Sequence, residues 1–368
     1  MRLTILTRGF PPAVDGIGDH ADHLADALAA TGIEVAVVTS AAEVAERSAF
    51  AVHPVIERWD ARGFGAIASA VAETAPDAIN WHYNPFSIGR KGLAPSAGRL
   101  ARALASRAPL VLSLHELWFP FWRAGARGLA WALGQRAQIR PVLGAATRWV
   151  VTTETRERDL RRIDPSKVVR IPTGPSVVPT GKNAREALGL PEGAFVAGHL
   201  GGVGPGRDLT PLLAAIERLR REGLDVRLAL LGATGPFTPP ESVRDAIVLP
   251  GPASREDLSA QLTACDVYVH ADRAGASAGR RTSIVSALAH GLPLVSYTGP
   301  DQSTDLTPGR DVLVVPPVPG ALAAVLADLA TDRDKARSLG EAARALYEEK
   351  FSWGVIARRF APLLQVDR

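Results

Sequence analysis

Residues 1–39 read MRLTILTRGFPPAVDGIGDHADHLADALAATGIEVAVVT, and this stretch decides the fold class. The run 3–7 is short and mostly apolar or β-branched, which predicts a strand. Residues 19–31 have the apolar spacing of a helix and end at Gly32, a typical helix stop. A second apolar run covers residues 35–39. Strand, helix and strand in this order predict a βαβ unit with parallel strands.

The same alternation continues to the end of the chain. Further strands are predicted at 51–55, 78–83, 110–115, 149–154 and 168–172, and then at 195–201, 227–231, 246–249, 266–270, 293–297 and 312–316. The proline- and glycine-rich stretch 175–193 is typical of a linker. We therefore predict an α/β fold with two Rossmann-like, doubly wound parallel-sheet domains facing across a cleft. Their expected bounds are 1–175 and 176–352, with a terminal helix in 353–368 that crosses back to the first domain.

Composition indicates a globular protein. The 368 residues are 46% hydrophobic and 22% charged, which suits two domains. The net charge of +4 comes without a run of arginines, so nucleic acid is not an expected partner. The single cysteine, Cys265, excludes an intrachain disulfide and a thiolate metal cluster. The sequence shows neither a signal peptide nor an apolar run of about 18 residues, so we expect a cytoplasmic enzyme.

Glycine-rich turns follow the first predicted strand of each half. Gly16, Ile17 and Gly18 precede a helix, where backbone amides can approach an anionic ligand; a tight structural turn would explain them equally well. Residues 201–207, GGVGPGR, bring Gly202 and Arg207 to the corresponding place in the second half. Arg207 is suited to phosphate oxygens, and a purely structural, exposed arginine is the alternative.

A further basic segment lies at residues 278–283, AGRRTS, just before an apolar helix. Thr282 or Ser283 can cap that helix. Arg280 and Arg281 beside free helix amides are suited to a diphosphate, and a solvated basic turn is the alternative.

His115 ends the apolar run 110–114, and the carboxyl end of a parallel strand is where ligands bind. A structural histidine is the alternative. We predict no metal site, because His20 and His23 lack a third ligand. The absence of P-loop, G-x-S-x-G and H-E-x-x-H motifs removes the main support for NTPase and classical hydrolase chemistry.

Together these segments resemble the retaining family 4 glycosyltransferases of the GT-B fold, in glycosyl transferases group 1, over nearly the whole chain. The most specific match is residues 288–295, LAHGLPLV, which resemble that family's MA-x-G-x-P-V-V. Residues 10–18, 80–85, 114–117, 171–174 and 351–353 are similar to other segments of the family. Arg207 stands where the family usually has lysine.

The resemblance breaks at two glutamates. The family's E-x7-E pair falls on Ala278 and Ser286, neither of which is acidic. In the family the first glutamate contacts the transferred sugar and the second contacts the nucleotide ribose. Ser286 is therefore expected to make a weaker ribose contact, and nothing obvious replaces the first glutamate. Residues 280–283 are similar to an RR-x-S element of one subgroup, which favours a variant donor site.

The resemblance implies a hexosyltransferase-type enzyme without metal or other cofactor. It would move sugar from a UDP-, GDP- or dTDP-linked donor to an acceptor hydroxyl with retention, and His115 would orient the sugar or stabilise its charge through the backbone carbonyl. The groups expected to stabilise the leaving diphosphate are Arg207, Arg280 or Arg281, and the amides of Thr282 and Ser283. The alternatives are a nucleotide-sugar epimerase and a catalytically silent protein that binds sugar nucleotides or acts in assembly.

The acceptor is not indicated by the sequence. The segment 118–149 mixes arginines with aromatic residues, which favours an ordinary surface helix with buried aromatics. The alternative is weak docking on an anionic membrane, which would imply a lipid-linked acceptor. The residues concerned are Arg123, Arg127, Arg136, Arg140 and Arg148 among Trp118, Phe119, Phe121, Trp122 and Trp131.

Overall fold

The structure, a computed structural model, describes residues 1–13, 15–44, 46–119, 126–203 and 206–365, without the side chains of residues 126 and 127. The chain divides into two compact units, Met1–Pro172 with Trp353–Arg368, and Thr173–Ser352. Some residues singled out above lie outside the described part: Phe121, Trp122, Arg123, the Arg127 side chain, Gly204, Pro205 and residues 366–368.

Within the described residues, the first unit holds a seven-stranded sheet whose pairings are all parallel. Its strands are β1 (Arg2–Leu6), β2 (Glu34–Ser40), β3 (Ala51–Ile56), β4 (Ala78–Tyr83), β5 (Leu110–Leu114), β6 (Arg148–Val151) and β7 (Val168–Arg170), and they lie in the order β3-β2-β1-β4-β5-β6-β7. The helices between them are α1 (Gly16–Ala29), α2 (Phe64–Glu73), α3 (Pro85–Ile88), α4 (Ala97–Ala105), α5 (Ala126–Ala145) and α6 (Glu154–Arg161).

The described part of the second unit repeats this plan with six parallel strands. They are β8 (Phe195–Leu200), β9 (Val226–Leu231), β10 (Ile247–Gly251), β11 (Val267–His270), β12 (Leu294–Tyr297) and β13 (Leu313–Val315), in the order β10-β9-β8-β11-β12-β13. The helices are α7 (Thr210–Arg221), α8 (Arg255–Thr263), α9 (Thr282–Ala289), α10 (Pro319–Thr331) and α11 (Arg333–Leu346). The predicted α/β class with two doubly wound parallel sheets is confirmed.

A last helix, α12 (Trp353–Phe360), belongs to the first unit. Its buried residues Trp353, Ile356 and Phe360 join the apolar cluster formed by α1 and one face of the sheet. A second apolar cluster, rich in residues of α4 and α5, covers the opposite face. Apolar packing on both faces explains why the strands read as nearly continuous apolar runs.

Helix α1 begins at Gly16, three residues before the predicted start. The Asp15 carboxylate caps it by accepting a hydrogen bond from the Ile17 amide at 3.1 Å. Gly18 is required by close packing, because a Cβ there would lie 2.7 Å from the carbonyl carbon and oxygen of Gly9. The predicted stop at Gly32 is confirmed, with a φ of 86°.

The strand order creates one switch point in each unit, β1 beside β4 and β8 beside β11. The loops that follow such neighbouring strands leave in opposite directions, which opens a crevice at their carboxyl ends. No helix in the described ranges is long and apolar enough to cross a bilayer.

Candidate functional site

The second unit's switch point is built from the loops that follow β8 and β11. Their backbones meet in an isolated antiparallel bridge between Arg207 and Asp272, and the Arg273 amide donates to the Gly206 carbonyl at 3.0 Å. The glycine-rich loop and the segment leading to α9 are thus joined directly. This pairing fixes the backbone of Arg207 beside that of Asp272.

Glycine allows the Arg207 side chain to fold onto its own loop. Gly201 has a φ of 103°, and a Cβ at that position would lie 2.8 Å from Arg207 Nη1. The same Nη1 donates to the Gly202 carbonyl at 2.8 Å. The described residues contain no carboxylate in ion-pair contact with Arg207, so its positive charge is uncompensated there.

Asp272 is an acidic residue that sequence reasoning missed. It is 3% exposed, and its two oxygens accept hydrogen bonds from the Ala274 amide at 2.9 Å and from Arg281 Nη2 at 2.7 Å. Burial pushes its pKa upward, but the Ala274 amide and the Arg281 charge outweigh burial and leave the pKa below its usual value. Asp272 is therefore an anion, and its carboxylate holds the Arg281 guanidinium group in place. The sequence could have indicated Asp272, because it is an acidic residue two positions after the predicted strand 266–270.

The two predicted arginines before α9 have different partners. Arg281 pairs with the buried Asp272, whereas Arg280 donates to Asp301 at 2.6 Å on the surface. Arg207 and Arg281 both contact Asp272, Arg207 through the backbone bridge and Arg281 through its guanidinium group. Arg280 is directed to a separate carboxylate.

The predicted cap of α9 is wrong. The helix begins at Thr282, its N-cap residue is Arg281, and no side chain accepts a hydrogen bond at this cap. Thr282 and Ser283 instead occupy the first turn. Their amides are among those that an α-helix leaves without an internal partner, which makes this end a suitable place for an anion.

The two positions of the missing glutamates are both buried. Ala278 has no exposed surface, and neither does Ser286. The Ser286 hydroxyl donates to the Thr282 carbonyl at 2.9 Å and accepts from the Val177 amide at 3.1 Å. Because Ser286 has no exposed surface and already makes these two bonds, the structure does not present it to a ligand, and the ribose contact predicted for it stays a prediction.

Two buried histidines lie at the carboxyl ends of β8 and β11. His199 Nδ1 donates to the Val269 carbonyl at 2.8 Å, while both ring nitrogens of His270 lack a hydrogen-bond partner in the described part of the chain. Burial lowers the pKa of His199 to about 4 and that of His270 to about 3. Both rings are neutral at physiological pH. His270 was not singled out in the sequence because it looks like part of a buried strand.

The first unit gathers a histidine cluster of His20, His82 and His115, from α1, β4 and the end of β5. His115 Nε2 and His82 Nδ1 are 3.0 Å apart, and the His20 ring lies 5.4 Å from the His115 ring and 5.5 Å from the His82 ring. The Trp353 ring covers His20 at 5.2 Å. His115 also lines a small cavity with His20, Ser113 and Thr152.

Packing keeps this cluster uncharged. Burial lowers the pKa of His20 to about 4 and those of His82 and His115 well below 6.5, and the neighbouring imidazoles lower them further. A neutral imidazole can donate one hydrogen bond and accept another.

Gly16, Ile17 and Gly18 form the first turn of α1, on the helix that carries His20. In the part of the chain described, no three His, Cys, Asp or Glu side chains are placed to hold a metal ion.

Two family models match the chain. The one described as Glycosyltransferase Family 4 covers residues 14–176, and the one described as Glycosyl transferases group 1 covers residues 194–332. Comparison with curated protein sequences gives no match.

Solved structures similar to this chain are glycosyltransferases. Sucrose-phosphate synthase from Thermosynechococcus elongatus is 19% identical, with a TM-score of 0.74 over 98% of both chains. HepE from Anabaena, solved with UDP and glucose, is 17% identical, with a TM-score of 0.69 over 99% of both. The pneumococcal O-GlcNAc transferase GtfA, solved with UDP and GlcNAc, is 10% identical, with a TM-score of 0.67 over 99% of this chain and 98% of that one. With two parallel-sheet units and both family models matched, the chain belongs to the family 4, group 1 glycosyltransferases of the GT-B fold.

Proposed function

We propose that this glycosyltransferase takes its sugar from a nucleoside-diphosphate donor whose diphosphate binds at the β8/β11 switch point. One observation supports this most: Arg207, Arg281 and the uncapped first turn of α9 converge there. Two guanidinium groups and free amides suit a diphosphate in both charge and hydrogen-bonding geometry. Several similar structures were solved with UDP, so a UDP-sugar is the first donor to test.

The chemistry follows from where charge develops. When the glycosidic bond breaks, negative charge builds on the diphosphate oxygen that leaves with the nucleotide. Fixed donors aimed at that oxygen stabilise the transition state more than the ground state. In this proposal Arg207, Arg281 and the amides of Thr282 and Ser283 supply those donors. They need no divalent ion, so we propose a metal-independent reaction.

The acceptor hydroxyl attacks from the face that the diphosphate leaves, which gives retention. The leaving phosphate takes the hydroxyl proton, so no strong side-chain base is required. His115 takes part through its backbone carbonyl or its neutral imidazole, which orients the transferred hexose. The lowered pKa of His115 agrees with this role, because a protonated ring would repel a positively charged sugar.

Arg207→Ala tests the proposal. We expect the Kd for UDP, measured by isothermal titration calorimetry, to rise about 10- to 100-fold, the value of one charge-assisted hydrogen bond. The rate of sugar transfer should fall on the order of 10²–10³-fold. Arg218→Ala is the matched control, since Arg218 is an exposed arginine on α7 that pairs with Glu222. Unchanged UDP affinity in Arg207→Ala would remove the proposed diphosphate site.

The missing glutamates favour one other function, a silent protein that binds sugar nucleotides without turnover. The two functions differ in a single measurement. Incubation with a panel of nucleotide-sugars releases free nucleotide if the protein is a transferase and leaves the donor intact if it is a sensor.

A further inference from the structure

The first unit carries an uneven distribution of charge. Residues 78–153 contain ten arginine or lysine residues and a single acid, Glu116, although the whole chain has a net charge of only +4. The rest of the chain is therefore net acidic. This basic segment includes α3, α4 and α5, and Glu116 is already paired with Arg156.

Exposed apolar side chains are concentrated in the same segment. Phe86, Leu93, Leu129 and Leu133 each keep 42–53% of their surface in contact with water. Leu129 and Leu133 are one helical turn apart on α5, so they lie on one face. The exposed residues that continue this face are Ala130, Ala137, Arg140 and Gly144. Most 20-residue surface helices expose charged groups instead. Among the described side chains of this stripe, α5 has one exposed cation, Arg140, and a half-buried one, Arg136, which lies over the Trp118 ring.

Contacts hold three residues of the preceding segment, Phe86, Lys91 and Leu93, against α5. Trp131 on α5 packs edge-on against Phe86 at 6.3 Å and stacks on Phe119 at 5.0 Å. The Lys91 carbonyl accepts from Gln135 Nε2 at 3.1 Å, and Leu93 lies within 3.3 Å of the Cβ position of Gly134. Lys91 and Leu93 are thereby fixed beside the first half of α5. We call the group formed by Phe86, Arg90, Lys91, Leu93, Leu129, Leu133 and Arg140 the α5 patch.

The cations of the α5 patch have no carboxylate partner among the described residues. Arg90, Lys91 and Arg140 are all exposed, and none takes part in an ion pair there. By contrast, exposed arginines of the second unit such as Arg218, Arg221 and Arg337 are paired with acids. The α5 patch therefore combines unneutralised positive charge with exposed apolar side chains.

We propose that the α5 patch docks on the surface of an anionic lipid bilayer. Arg90, Lys91 and Arg140 meet lipid phosphates, while Phe86, Leu93, Leu129 and Leu133 enter the boundary between headgroups and acyl chains. An anionic bilayer matches both properties of the patch. A polyanion such as nucleic acid would leave the leucines in water, and a second copy of the chain would place like charges against each other across a two-fold axis.

Vesicle sedimentation tests the proposal with the full-length chain. The wild type should co-sediment with vesicles of phosphatidylcholine and phosphatidylglycerol, bind weakly to phosphatidylcholine alone, and be partly released by salt. The double variant Arg90→Ser, Lys91→Ser should lower the partition coefficient by about fivefold for each cation removed. Leu129→Ser with Leu133→Ser should lower it on the order of tenfold, because two half-exposed leucines no longer enter the interface.

Two controls match these changes on the second unit. Leu249→Ser removes a leucine that is 40% exposed, and Arg221→Ser with Arg337→Ser removes the same amount of charge. Both should bind as the wild type does, and circular dichroism should show every variant folded.

The proposal fails if the wild type does not bind anionic vesicles. It also fails if the leucine variant binds as tightly as the wild type, because adsorption is then purely electrostatic. A concentration-dependent dimer in the absence of lipid that the leucine variant abolishes would identify the α5 patch as a self-association surface instead.

Discussion

Arg281→Ala separates the structural and functional roles of one guanidinium group. In the native protein Arg281 Nη2 lies 2.7 Å from Asp272 Oδ2, and that carboxylate is almost completely buried. Removal of the arginine leaves an anion without its charged partner. A fully buried pair broken in this way costs about 3–5 kcal/mol. The Arg281 side chain is 37% exposed, so we expect a smaller loss of about 1–3 kcal/mol in the free energy of unfolding.

The same change should weaken donor binding by a different mechanism. One charge-assisted hydrogen bond to a phosphate contributes about 1.5–3 kcal/mol, which is about 10- to 100-fold in the Kd for UDP. The direct loss for Arg281 should lie at the lower end of this range, because Asp272 already neutralises part of its charge. In Arg281→Ala the unpaired Asp272 also repels the diphosphate, which increases the loss. The double variant Asp272→Asn, Arg281→Ala removes that repulsion and the unpaired charge together.

Urea unfolding and calorimetry with UDP distinguish the two effects. The double variant should recover most of the lost stability, since an asparagine oxygen can still accept from the Ala274 amide. It should still bind UDP at least about tenfold more weakly than the wild type. If both variants bind UDP as the wild type does, Arg281 serves the fold alone and the reasoning about the diphosphate site is refuted.

Two further predictions concern the first unit. Gly18→Ala should lower the free energy of unfolding by about 1–3 kcal/mol, because the added Cβ would meet the Gly9 backbone. A Cβ at Gly16 meets nothing within 4 Å, so Gly16→Ala should not destabilise the protein. Equal urea midpoints for the two variants would contradict this. The His20 pKa is lowered by burial from 6.5 to about 4, so the unfolded chain binds more protons than the native one in that range and stability should fall as the pH drops from about 6.5 to 4. That loss is about 3 kcal/mol for His20, and His20→Asn should flatten the measured pH dependence by this amount.

The architecture could be predicted because local sequence carries it. Every predicted strand was found, since short apolar runs, which are buried on both faces in central strands such as β4, differ clearly from the amphipathic helices between them. The start of α1 was misplaced because Asp15 acts as a cap before any apolar periodicity begins. The predicted cap of α9 failed for the opposite reason: Thr282 has the right side chain but already lies inside the helix.

The pairing of side chains across loops could not be predicted in the same way. Asp272 and Arg281 are nine residues apart in the segment between β11 and α9, and only the folding of that segment brings their side chains together. The bridge from Asp272 to Arg207 then joins this segment to the loop after β8. The histidine cluster likewise joins residues far apart in the sequence, of which only His115 was assigned a function from the sequence. Residue type and spacing indicate which groups can bind phosphate, but the sheet order decides which of them meet.

The arginines of the proposed site should contribute unequally to diphosphate binding, because some of them already form ion pairs and one does not. Arg280 and Arg281 already have carboxylate partners, so an incoming diphosphate gains less from each of them than from an unpaired cation. Arg207 is half-buried, is held only by a neutral carbonyl of its own loop, and forms no ion pair with the described residues. Its charge is therefore the one that an anion at the switch point can neutralise without losing an existing pair. On this reasoning Arg207 contributes most to binding of the diphosphate. Arg281 contributes less, because Asp272 fixes its position and partly neutralises its charge. Arg280 is paired with Asp301 on the surface and contributes least.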